Sequence, residues 1–251
     1  MTKIIGIIPA RYASTRFPGK PLVDIKGKTM IQRVYEQAKK CSSLQSVIVA
    51  TDDERIQGEV LNFGGEVCMT SSAHPSGTDR CAEVIEKLNL QCDAVINIQG
   101  DEPFIDPQQI ELVCSCFADD RTELATLIKP VKQSEILFNP NSPKVVVDNE
   151  GFAIYFSRHP IPYLRGVDQK DWLNQHSYYQ HIGIYGYRSS ALRNITKLLP
   201  STLEKAESLE QLRWIEAGLK IKTAITTRET LAIDTPDDLE RILKKLQLND
   251  L

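Results

Sequence analysis

The sequence predicts an α/β fold, doubly wound around a mostly parallel sheet and carrying a small antiparallel flap. Three observations lead there. Short β-branched runs alternate with amphipathic stretches as far as Ile98. Those runs are mostly apolar and do not alternate, as strands covered on both faces do not. After Gly151 the alternation gives way to two strand-like runs around a stretch that contains Pro and Trp. Strands that alternate with helices are joined by crossovers, and crossovers make parallel sheet.

Lys3 to Ile8 reads as the first strand, followed by Ser46 to Ala50, Glu66 to Met69 and Ala94 to Ile98, all buried on both faces. Met30 to Lys40 reads as a helix because Met30, Val34 and Ala38 share one stripe. Glu54 to Phe63 reads as a second helix, stopped by Gly64-Gly65. Phe152 to Ser157 and His181 to Tyr187 read as antiparallel strands around Pro160 to Gln175, a flap or an interface. Leu231-Ala232-Ile233 reads as the end of a further strand. Thr235 then offers an N-cap, Pro236 a first-turn proline, and Asp237 and Asp238 acids at the positive end of the last helix. No repeat, linker or low-complexity tract divides the chain. The expectation is a single domain over 1–251, with 151–188 an inserted flap or dimer-interface segment.

The composition is that of an ordinary globular protein, 41% hydrophobic and 25% charged. Its formal net charge of −3 leaves no clustered basic excess for a nucleic-acid backbone. Met1 to Ala10 is interrupted too soon, by Pro9 and Arg11, for a secretion signal, and no apolar run approaches membrane-spanning length. A cytoplasmic protein that binds neither nucleic acid nor membrane is expected. Cys41, Cys68, Cys81, Cys92, Cys114 and Cys116 show no paired C-x-x-C spacing and read as reduced thiols packed as small hydrophobes.

The densest local chemistry follows the first strand. Ala10 to Leu22 places Arg11, Arg16 and Lys20 within ten residues, and Gly19 lets backbone approach a ligand without a Cβ in the way. Three cations at a strand's carboxyl end suit a triphosphate, although the same charges also suit a solvated loop. The segment is not a Walker A loop, since Ser14 stands where its first glycine belongs and Pro21 where its Ser/Thr belongs.

Asp101 follows the strand ending near Ile98, and Asp234 follows another apolar run. Two separated carboxylates with substrate phosphates suffice for magnesium, yet Asp101 serves equally well as a turn residue and Asp234 as a cap. Thr235 holds the better capping position, and Asp237 and Asp238 already serve the helix dipole. Ser76, Gly77, Thr78 and Arg80 open a predicted helix, either as an ordinary capped start or as groups that read a base edge or phosphate. Arg158, His181, Tyr185, Glu210 and Gln211, with Gln99, offer one cation and several polar groups, which residue type alone does not bring together. On residue type alone His181 reads as a packed strand histidine and Glu210 as a solvated helix residue. Tyr185 and Tyr187 alternate on their strand, which calls for one of them to face inward.

Arg11-x-x-Ser14-x-Arg16-x-Pro18-Gly19-Lys20-Pro21-Leu22 resembles the motif of the sugar-acid cytidylyltransferases, in particular those acting on 3-deoxy-manno-octulosonate (Kdo). The similarity continues in order through His74 to Arg80, Asn97 to Pro103, Ser157-Arg158, His181 to Tyr185, Leu209 to Arg213 and Ile233 to Pro236. The resemblance implies a Rossmann-like nucleotidyltransferase that moves CMP from CTP to the anomeric hydroxyl of Kdo, releasing pyrophosphate, for lipopolysaccharide biosynthesis. It implies Mg²⁺ on Asp101 and Asp234. It also implies that the backbone near Ala10 and Arg11 and the segment of Ser76, Gly77, Thr78 and Arg80 enclose the nucleotide. Ser14, Arg16, Gly19 and Lys20 would then serve the phosphates, with Arg16 and Lys20 on the leaving side. The sugar acid would meet Gln99, Arg158, His181, Tyr185, Glu210 and Gln211, and the protein would be a homodimer. A cytidylyltransferase for another acidic sugar and a non-catalytic CTP-binding protein are the alternative readings.

Overall fold

The computed structural model describes residues 2–13, 16–229 and 231–248. Along the chain run β1 (Ile4–Ala10), β2 (Asp24–Ile25), β3 (Lys28–Thr29), α1 (Met30–Ala38), β4 (Leu44–Thr51), α2 (Glu54–Asn62), β5 (Glu66–Met69), α3 (Gly77–Lys87), β6 (Ala94–Asn97) and α4 (Pro107–Ser115). There follow β7 (Leu124–Pro130), α5 (Ser134–Phe138), β8 (Lys144–Val147), β9 (Ala153–Ser157), α6 (Trp172–Gln175) and β10 (Tyr179–Arg188). The last elements are α7 (Ser189–Ile195), α8 (Thr202–Glu207), α9 (Gln211–Glu216), β11 (Ile221–Ile225) and α10 (Pro236–Leu248). They form two compact units, Met1–Glu111 with Glu229–Leu251 and Leu112–Arg228. The expected segment 151–188 lies inside the second.

In the first unit the strands run in the order β6-β1-β4-β5, every pair parallel. The chain moves outward from β1 through β4 to β5, then returns to the other side of β1 as β6. The order therefore reverses between β1 and β6, and at such a switch point a doubly wound sheet leaves a crevice beyond its strand ends. β1 and β6 are almost wholly buried, as their apolar runs require, whereas β5 is an edge strand with Glu66 exposed. β5 is not covered on both faces as expected, since the charged Glu66 keeps to solvent and of its four residues Cys68 alone is buried. Helices α1 and α2 end at Ala38 and Asn62, within two residues of the sequence reading.

Leu231 to Ile233 is not a strand. Its regular link is one hydrogen bond, from Ile233 N–H to the Asp101 carbonyl at 2.9 Å. Ile233 is fully buried with Ile25, Met30 and Ile242. Burying a side chain of that size contributes about 1.5–3 kcal/mol, enough to seat the segment without a ladder. Thr235 caps α10 as expected, its Oγ1 accepting from Asp238 N–H at 3.2 Å.

In the second unit β11 and β7 pair parallel, and β10 pairs antiparallel with β7. β8 joins β10 and β9, both antiparallel. The two strands expected around the flap are thus antiparallel members of one sheet, with β8 as the intermediary. Trp172 and Tyr178 stack beneath it with Val131 and Leu137. Among the described residues none of the six cysteines is in a disulfide, and five are buried.

Candidate active site

Gly19 N–H returns to the Tyr12 carbonyl at 2.9 Å and closes the segment on itself. Gly19 adopts φ +73°, and a Cβ there would also stand 3.2 Å from the Tyr12 ring, so glycine is needed twice over. A 3₁₀ turn over Lys20–Leu22, with Pro21 buried, fixes where Lys20 leaves the backbone. Its ammonium lies 2.9 Å from Asp101 Oδ2 and 3.3 Å from Asp234 Oδ1. Arg16 Nη2 reaches the same Asp234 oxygen at 3.1 Å with 65% of its side chain exposed. Ala10 is buried at the strand end and Arg11 is exposed. Ser14 lies outside the described residues.

Asp101 is held by two neighbours. A Cβ on Gly100 would stand 2.7 Å from the Pro9 carbonyl oxygen, so the Gln99-Gly100-Asp101 turn lies directly against β1. The Ile233 hydrogen bond to the Asp101 carbonyl brings Asp234 alongside. Asp238 Oδ2 accepts from the backbone N–H groups of Asp234 and Thr235, which frees the Asp234 carboxylate from capping. Residues far apart in sequence thus share one ammonium. Glu102 is buried next to them, and its Oε2 has no hydrogen-bond partner among the described residues. Burial, helped by the Asp101 charge, pushes its carboxyl up to about 7.

The start of α3 belongs to the same rim. Ser76 caps it, accepting from Asp79 N–H at 3.3 Å, and Gly77 packs where a Cβ would be 3.3 Å from Pro9. Thr78 is buried. Arg80 is buried as well, donating to Thr70 Oγ1 at 2.8 Å and standing 3.2 Å from Asp52. Of this segment, Ser76 and Gly77 lie nearest the end of β1, while the Arg80 guanidinium is an internal ion pair.

In the second unit His181, Tyr185 and Gln211 are buried. His181 Nε2 lies 3.0 Å from Thr126 Oγ1, and desolvation alone pulls its pKa down to about 3, so the ring is neutral. Tyr185 packs against His181 and Trp214. Its hydroxyl is buried without a hydrogen-bond partner among the described residues, as is Gln211 Nε2. Burial first, then Tyr187 and Glu210, raises the Tyr185 pKa far above its ordinary value. Orphaned buried donors are rare in native proteins and point to a polar ligand or water. Tyr187 is also buried, and its ring stacks with that of Tyr185. Residues two apart share a strand face, so the expectation that one of the two would face inward is corrected.

Arg158 donates to the carbonyls of Glu207, Pro140 and Ser208. Glu207 in turn accepts from Ser157 Oγ and Arg158 N–H, a contact that nothing in the residue pattern announced. Glu210 is the residue immediately before α9, with Oε1 3.8 Å from Arg213. Gln99 sits in the first unit, beside Gly100.

Among the described residues no three His, Cys, Asp or Glu side chains form a metal cage. Two carboxylates facing one cation fit magnesium, which draws its other ligands from water and substrate phosphates. The Lys20 ammonium is itself a cation seated between them and shows that the pocket accepts positive charge.

A family model described as Cytidylyltransferase matches residues 5–221. A 3-deoxy-manno-octulosonate cytidylyltransferase of Cytophaga hutchinsonii is 60% identical over 240 residues, 95% of this chain and 96% of that protein. One from Parabacteroides distasonis is 58% identical, covering 97% of this chain and 98% of that protein. A solved CMP:2-keto-3-deoxy-manno-octonic acid synthetase complexed with CTP superposes with a TM-score of 0.91 at 43% identity, covering 100% of both chains.

Proposed function

The chain belongs to the 3-deoxy-manno-octulosonate cytidylyltransferase family, and on that premise we propose that it transfers CMP from CTP to Kdo with Mg²⁺ as cofactor. The observation that carries the magnesium reading is the Lys20 ammonium within reach of both Asp101 and Asp234 at the switch point of the parallel sheet. The anomeric oxygen of the sugar forms a bond to the α-phosphorus of CTP. The bond to the β-phosphate oxygen breaks, the anomeric proton leaves to solvent, and pyrophosphate departs.

Catalysis of this kind is mostly positioning and charge neutralisation. Arg11, Arg16 and Lys20 supply positive charge to the phosphates, with Lys20 and Arg16 on the leaving side. Backbone near Ala10 and the Ser76-Gly77-Thr78 start of α3 hold the nucleoside. A magnesium ion bound by Asp101, Asp234 and phosphate oxygens would add charge neutralisation at the α-phosphate and a lower pKa for the attacking hydroxyl. Tyr185 Oη and Gln211 Nε2, buried and unsatisfied, are assigned to sugar hydroxyls. Neutral His181 orients through Thr126 and carries no charge to repel or attract the substrate carboxylate. No covalent intermediate on the enzyme is required.

A cytoplasmic homodimer is part of the same reading. No helix among the described residues is long and apolar enough to cross a membrane. Ile154 and Tyr163, 54% and 72% exposed within the segment 151–188, support a contact between subunits there. Sedimentation at micromolar concentration tests it, and a monomer rejects it. For the reaction, CTP, Kdo and Mg²⁺ are incubated with the protein and the products weighed by mass spectrometry. CMP-Kdo with pyrophosphate is the expected result; unchanged CTP, or transfer only to a different acidic sugar, refutes the assignment.

A further inference from the structure

The cation-bearing loop is held at its base by a contact that the reaction itself does not call for. The Arg55 guanidinium carbon lies 3.3 Å from the centroid of the Tyr12 ring. Arg55 is in turn fixed by Asp53, with Nε on Oδ1 at 2.9 Å and Nη2 on Oδ2 at 2.6 Å. Asp53 is itself anchored, since it caps α2 by accepting from Arg55 N–H at 3.0 Å. Tyr12 is the residue whose carbonyl closes the loop onto Gly19 and whose ring packs where a Gly19 Cβ would be. An exposed arginine, 58% accessible, held over an aromatic ring by a bidentate carboxylate has little conformational freedom left. The β4–α2 turn is thereby tied to the loop that delivers Arg16 and Lys20.

We propose that Arg55 is a positioning residue for the triphosphate, acting through Tyr12: the Asp53–Arg55–Tyr12 stack holds Tyr12, and through it Gly19 and the adjoining Lys20, in place before the nucleotide arrives. The inference rests on the CTP-binding reading given above. Preorganisation of this kind lowers the ordering cost of binding, so its loss weakens CTP affinity more than turnover at saturation. It does not alter affinity for the sugar acid.

The test is a double-mutant cycle on the full-length protein, read by calorimetric CTP binding and by steady-state kinetics. Arg55→Ala is expected to raise the Kd and KM for CTP about tenfold, with kcat within threefold and the KM for Kdo unchanged, since changes of that kind mark lost ground-state binding. Tyr12→Phe keeps the ring and stays near the parent. Arg55→Lys resembles Arg55→Ala because an ammonium does not replace a stacked planar group. Tyr12→Ala/Arg55→Ala is no weaker than the poorer single variant, because both remove the same contact. Asp53→Asn keeps the helix cap while loosening the arginine, and gives an intermediate loss in a protein that melts near the parent temperature.

Arg55→Ala binding CTP within twofold of the parent overturns the proposal. So do strictly additive single losses, or equal losses for CTP and Kdo. The calorimetric arm needs no turnover, so a parent that binds CTP without transferring CMP defeats the reaction assignment and leaves the stack to be judged by binding alone.

Discussion

Gly100 packs so closely on Pro9 that any Cβ would lie 2.7 Å from the Pro9 carbonyl oxygen. The contact joins the turn that carries Asp101 to the strand that launches the cation-bearing loop. Neither partner can give way easily, because one is backbone in a buried parallel strand.

Gly100→Ala must therefore move Asp101. Relieving a backbone overlap of this size costs about 1–3 kcal/mol. The larger effect falls on chemistry, since displacement of about 1 Å at a reacting centre costs on the order of a hundredfold. The expected result is a folded protein with a modestly lower melting temperature and pyrophosphate release reduced by about two orders of magnitude. Near-parental turnover would mean that the turn tolerates movement and that the contact does not set the site.

Tyr185→Phe removes a buried hydroxyl that has no protein partner among the described residues. Unsatisfied buried polar groups cost about 1–3 kcal/mol, so stability without substrate should stay level or rise. The KM for Kdo should rise about tenfold while that for CTP stays constant. A variant that is destabilised and keeps its sugar affinity would place the hydroxyl in the structure and not in the site.

His181 gives a pH prediction whose sign can be worked out. Its pKa is about 3 in the folded protein, against roughly 6.5 when unfolded. Above pH 6.5 both states are neutral and the residue is silent. As pH falls below that value the unfolded state takes up a proton and the folded state does not, so stability drops by up to about 1.4 kcal/mol per pH unit. Glu102 opposes it, since a folded pKa near 7 makes the folded state the proton acceptor between about pH 7 and 4.5. Glu111, pushed up by burial but held down to about 2 by the combined hydrogen bonds of Ser43, Cys41 and Ser42, acts only below its unfolded value of about 4.5, where its contribution is lost as pH falls. Denaturant unfolding of parent and His181→Gln between pH 7 and 5 isolates the histidine. The variant should lose stability less steeply on acidification, or gain it; identical slopes would mean that His181 is protonated in the native state.

Much of this architecture was legible because local physics decided it. The apolar runs of β1, β4 and β6 have no other stable placement than the interior of a parallel sheet. The Thr235-Pro236-Asp237-Asp238 start of α10 is written in capping chemistry. The Leu231 to Ile233 segment misled because burial of Ile233 in a hydrophobic cluster produces the same apolar pattern as a strand. Gly100 was visible as a turn residue, but its closeness to Pro9 depends on how two strands separated by most of the first unit come to lie side by side. Arg80 likewise reads as a cation near a helix start, whereas its pairing with Asp52 follows from tertiary packing. The Arg55–Tyr12 stack left no spacing signal, because its partners lie on different βα turns.

Asp101 and Asp234 are proposed together to hold the metal on which transfer depends. The most direct measurement is pyrophosphate release from CTP and Kdo across a Mg²⁺ titration, for the parent, Asp101→Asn and Asp234→Asn. The expected result is no release without divalent cation, saturable activation of the parent, and a loss of at least about a hundredfold in each variant at every Mg²⁺ concentration, with melting temperatures preserved. Metal-independent release, or a variant of either aspartate that matches the parent, would contradict it.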